Sequence, residues 1–174
     1  MRIIEAIQLI KNDFPIGKTP ETWADLGAGS GTFTEALASF LPDGSVIYAV
    51  DKVQEMQQAS GSRLEIRFVK ADFEKDSLPL PPLDCILMAN SLHYVFDKKS
   101  LLQKLRGNLK PGGRIVVVEY DTDKPNAWVP FPITAEGLKA LFPSQGFTQL
   151  TDLGRRSSIY GQGDLYAISI TLTD

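Results

Sequence analysis

At 174 residues, with 43% hydrophobic and 22% charged side chains, the chain has the make-up of one globular domain with room for a sizeable core. A formal charge of -3 and an isoelectric point near 5.2 weigh against a phosphate-binding surface, so no nucleic-acid partner is expected. One cysteine, Cys85, and one histidine, His93, exclude an internal disulfide framework and leave no ligand set for a Cys/His zinc site. No metal is expected, and the unpaired thiol fits a reducing, cytoplasmic setting.

In chain order, Ile3, Ile4, Ile7 and Ile10 recur at helical spacing and predict an amphipathic helix over 2–12. Glu5, Gln8 and Lys11 interrupt its apolar residues, so it does not read as a targeting segment, and no run is long enough for a membrane span. "FPIGKTP" breaks the helix, and "TWADLG" follows as a strand. Glycines then lead into a helix from Thr32 to Phe40, "LPDGS" turns, and "VIYAVD" is a buried strand ending on a carboxylate. "VQEMQQAS" predicts a short helix and "LEIRFVKAD" a strand that again ends on an acid, Asp72. After "LPLPP" come an apolar strand, "LDCILMAN", a helix, "SLLQKLRGNL", a turn, "KPGG", and the β-branched strand "RIVVVEYD". The loop "DTDKPNAWVPFPI" carries Trp128 and Phe131, which either line a substrate lid or cover a sheet edge. Thr134 caps a predicted helix, "AEGLKALFPSQ", and "GFTQLTDL" and "LYAISITL" form a final antiparallel pair.

Strands alternating with helices predict an α/β fold: a doubly wound, mostly parallel, Rossmann-like sheet with an antiparallel edge and helices on both faces. A single domain over 1–174 is expected, with a lead-in over 1–20, a ligand-binding core over 21–120 and a substrate-side tail over 121–174.

The informative stretch is "WADLGAGSGTFTEALA". A strand running into glycines and then a helix lets a ligand approach bare backbone at unpaired N–H groups. Asp51 closes the next strand, where an acid can bind ribose hydroxyls. The glycine spacing is G-x-G-x-G, and Thr32 stands where a nicotinamide or flavin fingerprint wants its third glycine. Asp25, ahead of the first glycine, would repel a pyrophosphate but suits a ligand bearing an ammonium group. S-adenosylmethionine has that amine, a sulfonium and no phosphate.

These motifs together resemble the class I S-adenosylmethionine-dependent methyltransferases over Trp23 to Phe147. In "DLGAGSG" the resemblance places Asp25, Gly27, Ala28, Gly29 and Gly31 at the cofactor. "YAVD" implies ribose binding by Asp51, and "KADF" implies that Asp72 holds the adenine amino group while the Phe73 amide meets a ring nitrogen. "LDCILMANSLHYVFD" resembles the fourth strand and the loop bordering the methionine portion, which puts Asn90 there. "LKPGGRIVVVE" and "SQGFTQL" resemble the turns into strands five and six. Lys52 is a departure: the family usually places an apolar residue against adenine, and here a lysine stem can cover the ring with its ammonium in water.

The implied reaction is in-line displacement from the sulfonium, which needs an aligned acceptor about 3 Å from the methyl and little else. His93 is the best-placed general base, ahead of Tyr94, although the same segment also reads as structural packing. Cys85 reads as a core thiol, and Arg155–Arg156 as a solvated pair or an anion contact. "NSLH" lacks the Pro-Pro-aromatic run of nucleobase amine methylation, and no Pro-Cys nucleophile is present, which leaves a small-molecule acceptor, with a protein side chain or terminus as the weaker option. The N-terminal helix and the Trp128 loop are expected to roof the pocket, or a second subunit does, so a homodimer stays open. The rival readings are a non-catalytic cofactor- or partner-binding module on the same fold and, more weakly, an NAD-dependent dehydrogenase.

Overall fold

The computed structural model describes residues 1–11, 18–56, 63–157 and 163–173. Its elements in chain order are α1 (Ile3–Lys11), β1 (Thr22–Leu26), α2 (Thr32–Phe40), β2 (Val46–Asp51), β3 (Glu65–Lys70) and β4 (Leu83–Ala89). They continue with α3 (Lys98–Arg106), β5 (Leu109–Tyr120), α4 (Ala135–Leu141), β6 (Phe147–Arg156) and β7 (Leu165–Leu172). Short 3-10 turns occupy Leu92–Tyr94 and Phe142–Gln145.

The strands form one seven-stranded sheet in the order β3-β2-β1-β4-β5-β7-β6. From β3 to β5 every pairing is parallel. β7 runs against β5 and β6 on either side, so the expected antiparallel pair closes the sheet with β7 inside and β6 outermost. The order reverses at β1, which has β2 on one side and β4 on the other. In open α/β sheets a crevice opens at such a reversal, beyond the carboxyl ends of the strands.

Period-two alternation sorts the strand side chains onto two cores. Ala24, Leu26, Ile86, Met88, Ile115 and Val117 face Leu101, Leu102 and Leu105 of α3 and Ala135 and Leu138 of α4. Trp23, Cys85, Leu87, Val116 and Val118 face Ala6, Leu9 and Ile10 of α1 and Phe33, Ala36 and Leu37 of α2. Cys85 is fully buried, as a core thiol should be, and burial drives its pKa upward.

Three local expectations differ from the structure. The third helix runs Lys98–Arg106 rather than from Ser100. Asp97 starts it, accepting from the Ser100 amide at 3.0 Å and the Ser100 hydroxyl at 2.7 Å. "KPGG" is a bulge inside β5 rather than a turn before it: Leu83 faces Leu109, yet Cys85 faces Arg114. The helix expected at 53–60 is absent over 53–56, which are bend and coil, and the rest of that stretch lies outside the described residues. Most of "FPIGKTP" also lies outside them. The Thr134 cap forms as expected, its hydroxyl accepting from the Gly137 amide at 3.0 Å.

Candidate active site

The turn after β1 is held from one side by β2. The Gly27 and Ala28 amides both donate to the Val50 carbonyl, at 2.8 and 3.1 Å, which folds the chain back over the strand end. Gly27, Gly29 and Gly31 have φ of 81°, 53° and 90°. At Gly27 two constraints coincide, because a Cβ there would also sit 2.6 Å from Ser91 Cβ. At Gly29 a Cβ would meet nothing within 4 Å, so this residue presents bare backbone to open space. Gly31 instead caps α2, and Met56 packs over it.

Asp51, at the end of β2, completes the turn. Its Oδ2 accepts from the Gly29 amide at 2.9 Å and its Oδ1 from the Val53 amide at 3.1 Å. Each oxygen thus keeps acceptor capacity for a ligand diol. Asp72, beyond β3, accepts from the amides of Glu74 and Lys75 at 3.1 and 3.3 Å, and lies 3.0 Å from the Lys52 ammonium. Burial alone would raise its pKa, but the Lys52 contact and these amides hold the carboxyl below its usual range. Lys104 of α3 fixes the segment from beneath, donating to the carbonyls of Phe73 at 2.9 Å, Glu74 at 3.3 Å and Asp76.

The opposite wall is the segment after β4. Ser91 packs against Gly27 and donates to the Leu26 carbonyl at 2.6 Å. Asn90 adopts φ 53°, its amide bonded to the Val118 carbonyl at 2.8 Å. His93 is 3% exposed and clamped by Glu119 of β5. Glu119 Oε2 lies 2.7 Å from His93 Nδ1, and Oε1 accepts from the His93 amide at 3.0 Å.

Together these residues enclose a cavity of about 400 Å³, a size suited to a small ligand. Of the residues expected from the sequence, Gly27, Gly29, Asp51, Lys52, Asp72, Phe73 and Asn90 line it. Asp25, Ala28, Gly31 and His93 do not. Asp25 shares the α2 face of β1 with Trp23, so its side chain lies beneath the turn rather than on the wall. It is 1% exposed and accepts from the Thr34 hydroxyl at 2.6 Å. Burial, with the Asp51 charge adding and Thr34 opposing, raises its pKa from 3.8 to about 6.

Comparison with known proteins agrees with this geometry. The family described as "Methyltransferase domain" matches residues 24–117. The chain belongs to this methyltransferase-domain family. It is 33% identical over 104 residues to the ubiquinone/menaquinone biosynthesis C-methyltransferase UbiE of Pseudomonas fluorescens, over 55% of this chain and 40% of that protein. It is also 33% identical over 106 residues to the acetylserotonin O-methyltransferase of Mus musculus, over 55% of this chain and 27% of that protein. The matched region thus spans less than half the length of either relative. The fold is similar to the didemethyltoxoflavin N1-methyltransferase of Burkholderia thailandensis, solved with its acceptor and S-adenosylhomocysteine. That match has a TM-score of 0.76 at 20% identity, over 99% of this chain and 78% of the other.

The methyltransferase domain departs from expectation at its roof. No residue of α1 lines the cavity; the helix instead packs on α2 and β6 and is pinned by Arg156 to Glu5 at 2.7 Å. Arg155 is likewise engaged, with Asp121. Ser91 and Val95 line the cavity although nothing in their side chains announces a binding role. The glycine that Ser91 packs toward is the available signal for that residue: a Gly27 with no room for a Cβ implies a neighbour above it. Among the described residues no acidic, His or Cys cluster is arranged to hold a metal, and no helix is long and apolar enough to cross a membrane.

Proposed function

We propose that this methyltransferase domain binds S-adenosylmethionine in the cavity and moves its methyl group to a small-molecule acceptor by in-line displacement, releasing S-adenosylhomocysteine. The observation that carries this reading is charge. The lining has the carboxylates of Asp51, Asp72 and Glu74 against the single ammonium of Lys52, which is itself paired to Asp72. Such a site suits a sulfonium and an amine and disfavours a pyrophosphate.

Asp51, already oriented by the Gly29 and Val53 amides, takes the ribose hydroxyls. Asp72 and the Phe73 amide take the adenine edge, where Lys52 must share Asp72 with the ring or swing off it. Asp25 acts from beneath the turn as a buried negative charge toward the cationic end of the cofactor. When bound, the cofactor supplies the electrophilic methyl; the chain's own part is to orient it, exclude water and align the acceptor. His93 is assigned to holding the post-β4 segment through Glu119, and no proton-removal step is given to it. Two relatives whose names specify quinone biosynthesis and acetylserotonin as their business support a small-molecule acceptor. The buried free thiol Cys85 fits the cytoplasmic setting that goes with this reading.

Calorimetric titration with S-adenosylhomocysteine, S-adenosylmethionine and NAD tests it. The sulfur nucleosides should bind and NAD should not. Binding of NAD alone would sink the proposal. Cofactor binding with no methyl acceptor turned over in a broad screen would favour a non-catalytic module.

A further inference from the structure

The cavity wall carries a polar group without a partner. Asn90 Oδ1 is buried, lies on a residue of the cavity wall and has no hydrogen-bond partner. Its backbone is the non-glycine with positive φ among the described residues. An orphan acceptor and a strained backbone at the same residue both cost stability, and such coincidences collect at ligand sites. The carboxylates of Asp51, Asp72 and Glu74 already supply the charge that a cationic donor needs. The Asn90 amide oxygen adds no charge of its own and accepts from an N–H or O–H donor.

Beyond Asn90 the chain turns aromatic. Tyr94 lines the cavity yet is 55% exposed, Phe96 is 78% exposed, and Phe131 is 38% exposed. Phe96 and Phe131 meet edge to face, with centroids 5.3 Å apart at 74°. The two segments are fastened together: the Phe131 amide donates to the His93 carbonyl at 2.9 Å, and Lys98 Nζ donates to the carbonyls of Val95 at 2.8 Å and Phe131 at 2.7 Å. Aromatic faces left in water on a fastened frame mark a surface built for a ligand. Those two carbonyls hold the Lys98 ammonium in place, and the carboxylates on the lining oppose an anion in the cavity.

We propose that Asn90, Tyr94 and the Phe96–Phe131 pair form the acceptor subsite, which takes a flat aromatic molecule that is not an anion and whose N–H or O–H donates to Asn90 Oδ1. This rests on the methyl-donor reading and moves Asn90 from the cofactor's methionine portion to the acceptor. The donor hydrogen bond orients the ring, and the aromatic side chains select for planarity.

The test uses the full chain saturated with S-adenosylhomocysteine, with indole as a flat neutral N–H donor and benzofuran as its shape-matched analogue without the donor. Cyclohexanol and benzoate serve as non-planar and anionic controls. Binding is read by calorimetry and ligand-observed NMR. Indole should bind more tightly than benzofuran by about five- to tenfold, the worth of one hydrogen bond to an otherwise unpaired buried acceptor. Asn90→Gly, which tolerates the backbone conformation, should erase that difference in protein kept saturated with S-adenosylhomocysteine. Phe131→Ala should weaken indole and benzofuran together. The proposal is overturned if the nucleoside binds but indole does not, or if indole and benzofuran bind alike. It is also overturned if benzoate or cyclohexanol binds best, or if Asn90→Gly leaves the difference between indole and benzofuran intact. Failure of the nucleoside itself to bind would instead count against the methyl-donor reading.

Discussion

Replacing Asp25 with asparagine should stabilise the ligand-free protein at neutral pH while loosening its grip on a cationic cofactor. The carboxyl is 1% exposed, and its hydrogen bond in the described structure is the one from Thr34. Burial raises its pKa from 3.8 to about 6, with Asp51 adding to the rise. At about 1.4 kcal/mol per pH unit, a shift of roughly 2 units means that ionised Asp25 costs the fold about 3 kcal/mol. The folded state holds this proton more tightly than the unfolded chain does. Its contribution to stability therefore falls as pH climbs from about 4 to about 6 and is level above that. An asparagine oxygen can still accept from the Thr34 hydroxyl, so the variant keeps the contact and loses the charge. The expected gain at about pH 8 is up to about 3 kcal/mol, or roughly 6–12 °C in Tm for a domain of this size, shrinking to near zero at about pH 4. Thermal melts of both proteins across that range, followed by circular dichroism, read it directly. A variant no more stable than the parent at pH 8, or a gap that does not change with pH, would refute the reasoning. If the proposed cofactor role of Asp25 holds, S-adenosylmethionine affinity should move the opposite way, because a buried negative charge beneath the turn is removed.

Asp51→Ala removes both oxygens proposed to take the ribose; S-adenosylhomocysteine affinity by calorimetry should fall at least about 100-fold, and an unchanged Kd would contradict that role. Gly27→Ala should lower stability by about 2–4 kcal/mol in urea unfolding, since its φ of 81° and a Cβ 2.6 Å from Ser91 Cβ both oppose a side chain. Glu119→Ala strips His93 of partners at Nδ1 and at its amide, so a loss of about 2–4 kcal/mol in the same assay is expected, with Glu119→Gln recovering part of it. Lys52→Met frees Asp72 and restores an apolar cover, and S-adenosylhomocysteine should then bind more tightly, with less dependence on salt.

Much of the fold was legible because the strands announce themselves as apolar runs, one ending on an acid and another followed closely by one. β2 stops at Asp51 and β3 at Lys70, with Asp72 just beyond, where the expected strand had run on to Asp72 itself. The bulge in β5 was hidden because Pro-Gly-Gly reads locally as a turn, while pairing with β4 on either side of it is a tertiary effect. The site was legible to the extent that backbone demands special residues: glycines at positive φ are visible in a sequence, and a carboxylate after a strand is conspicuous. What stayed hidden depended on distance. Glu119 reads as a polar interruption in an apolar strand, and nothing local ties it to His93, 26 positions away. Asp25 was legible as an acid at the turn, but its placement under the turn rather than on the cavity wall follows from the α2 face of β1, which only packing against Thr34 reveals. Asn90 drew attention for its position after β4, whereas its positive φ and orphan oxygen are properties of the folded backbone.

A crystal structure of the chain with S-adenosylhomocysteine tests the central claim most directly. The account predicts both ribose hydroxyls on the Asp51 carboxylate, adenine against Asp72 and the Phe73 amide, and the sulfur turned toward the wall formed by Asn90 and Tyr94. A nucleoside bound elsewhere, or lying in the cavity without touching Asp51, would contradict it.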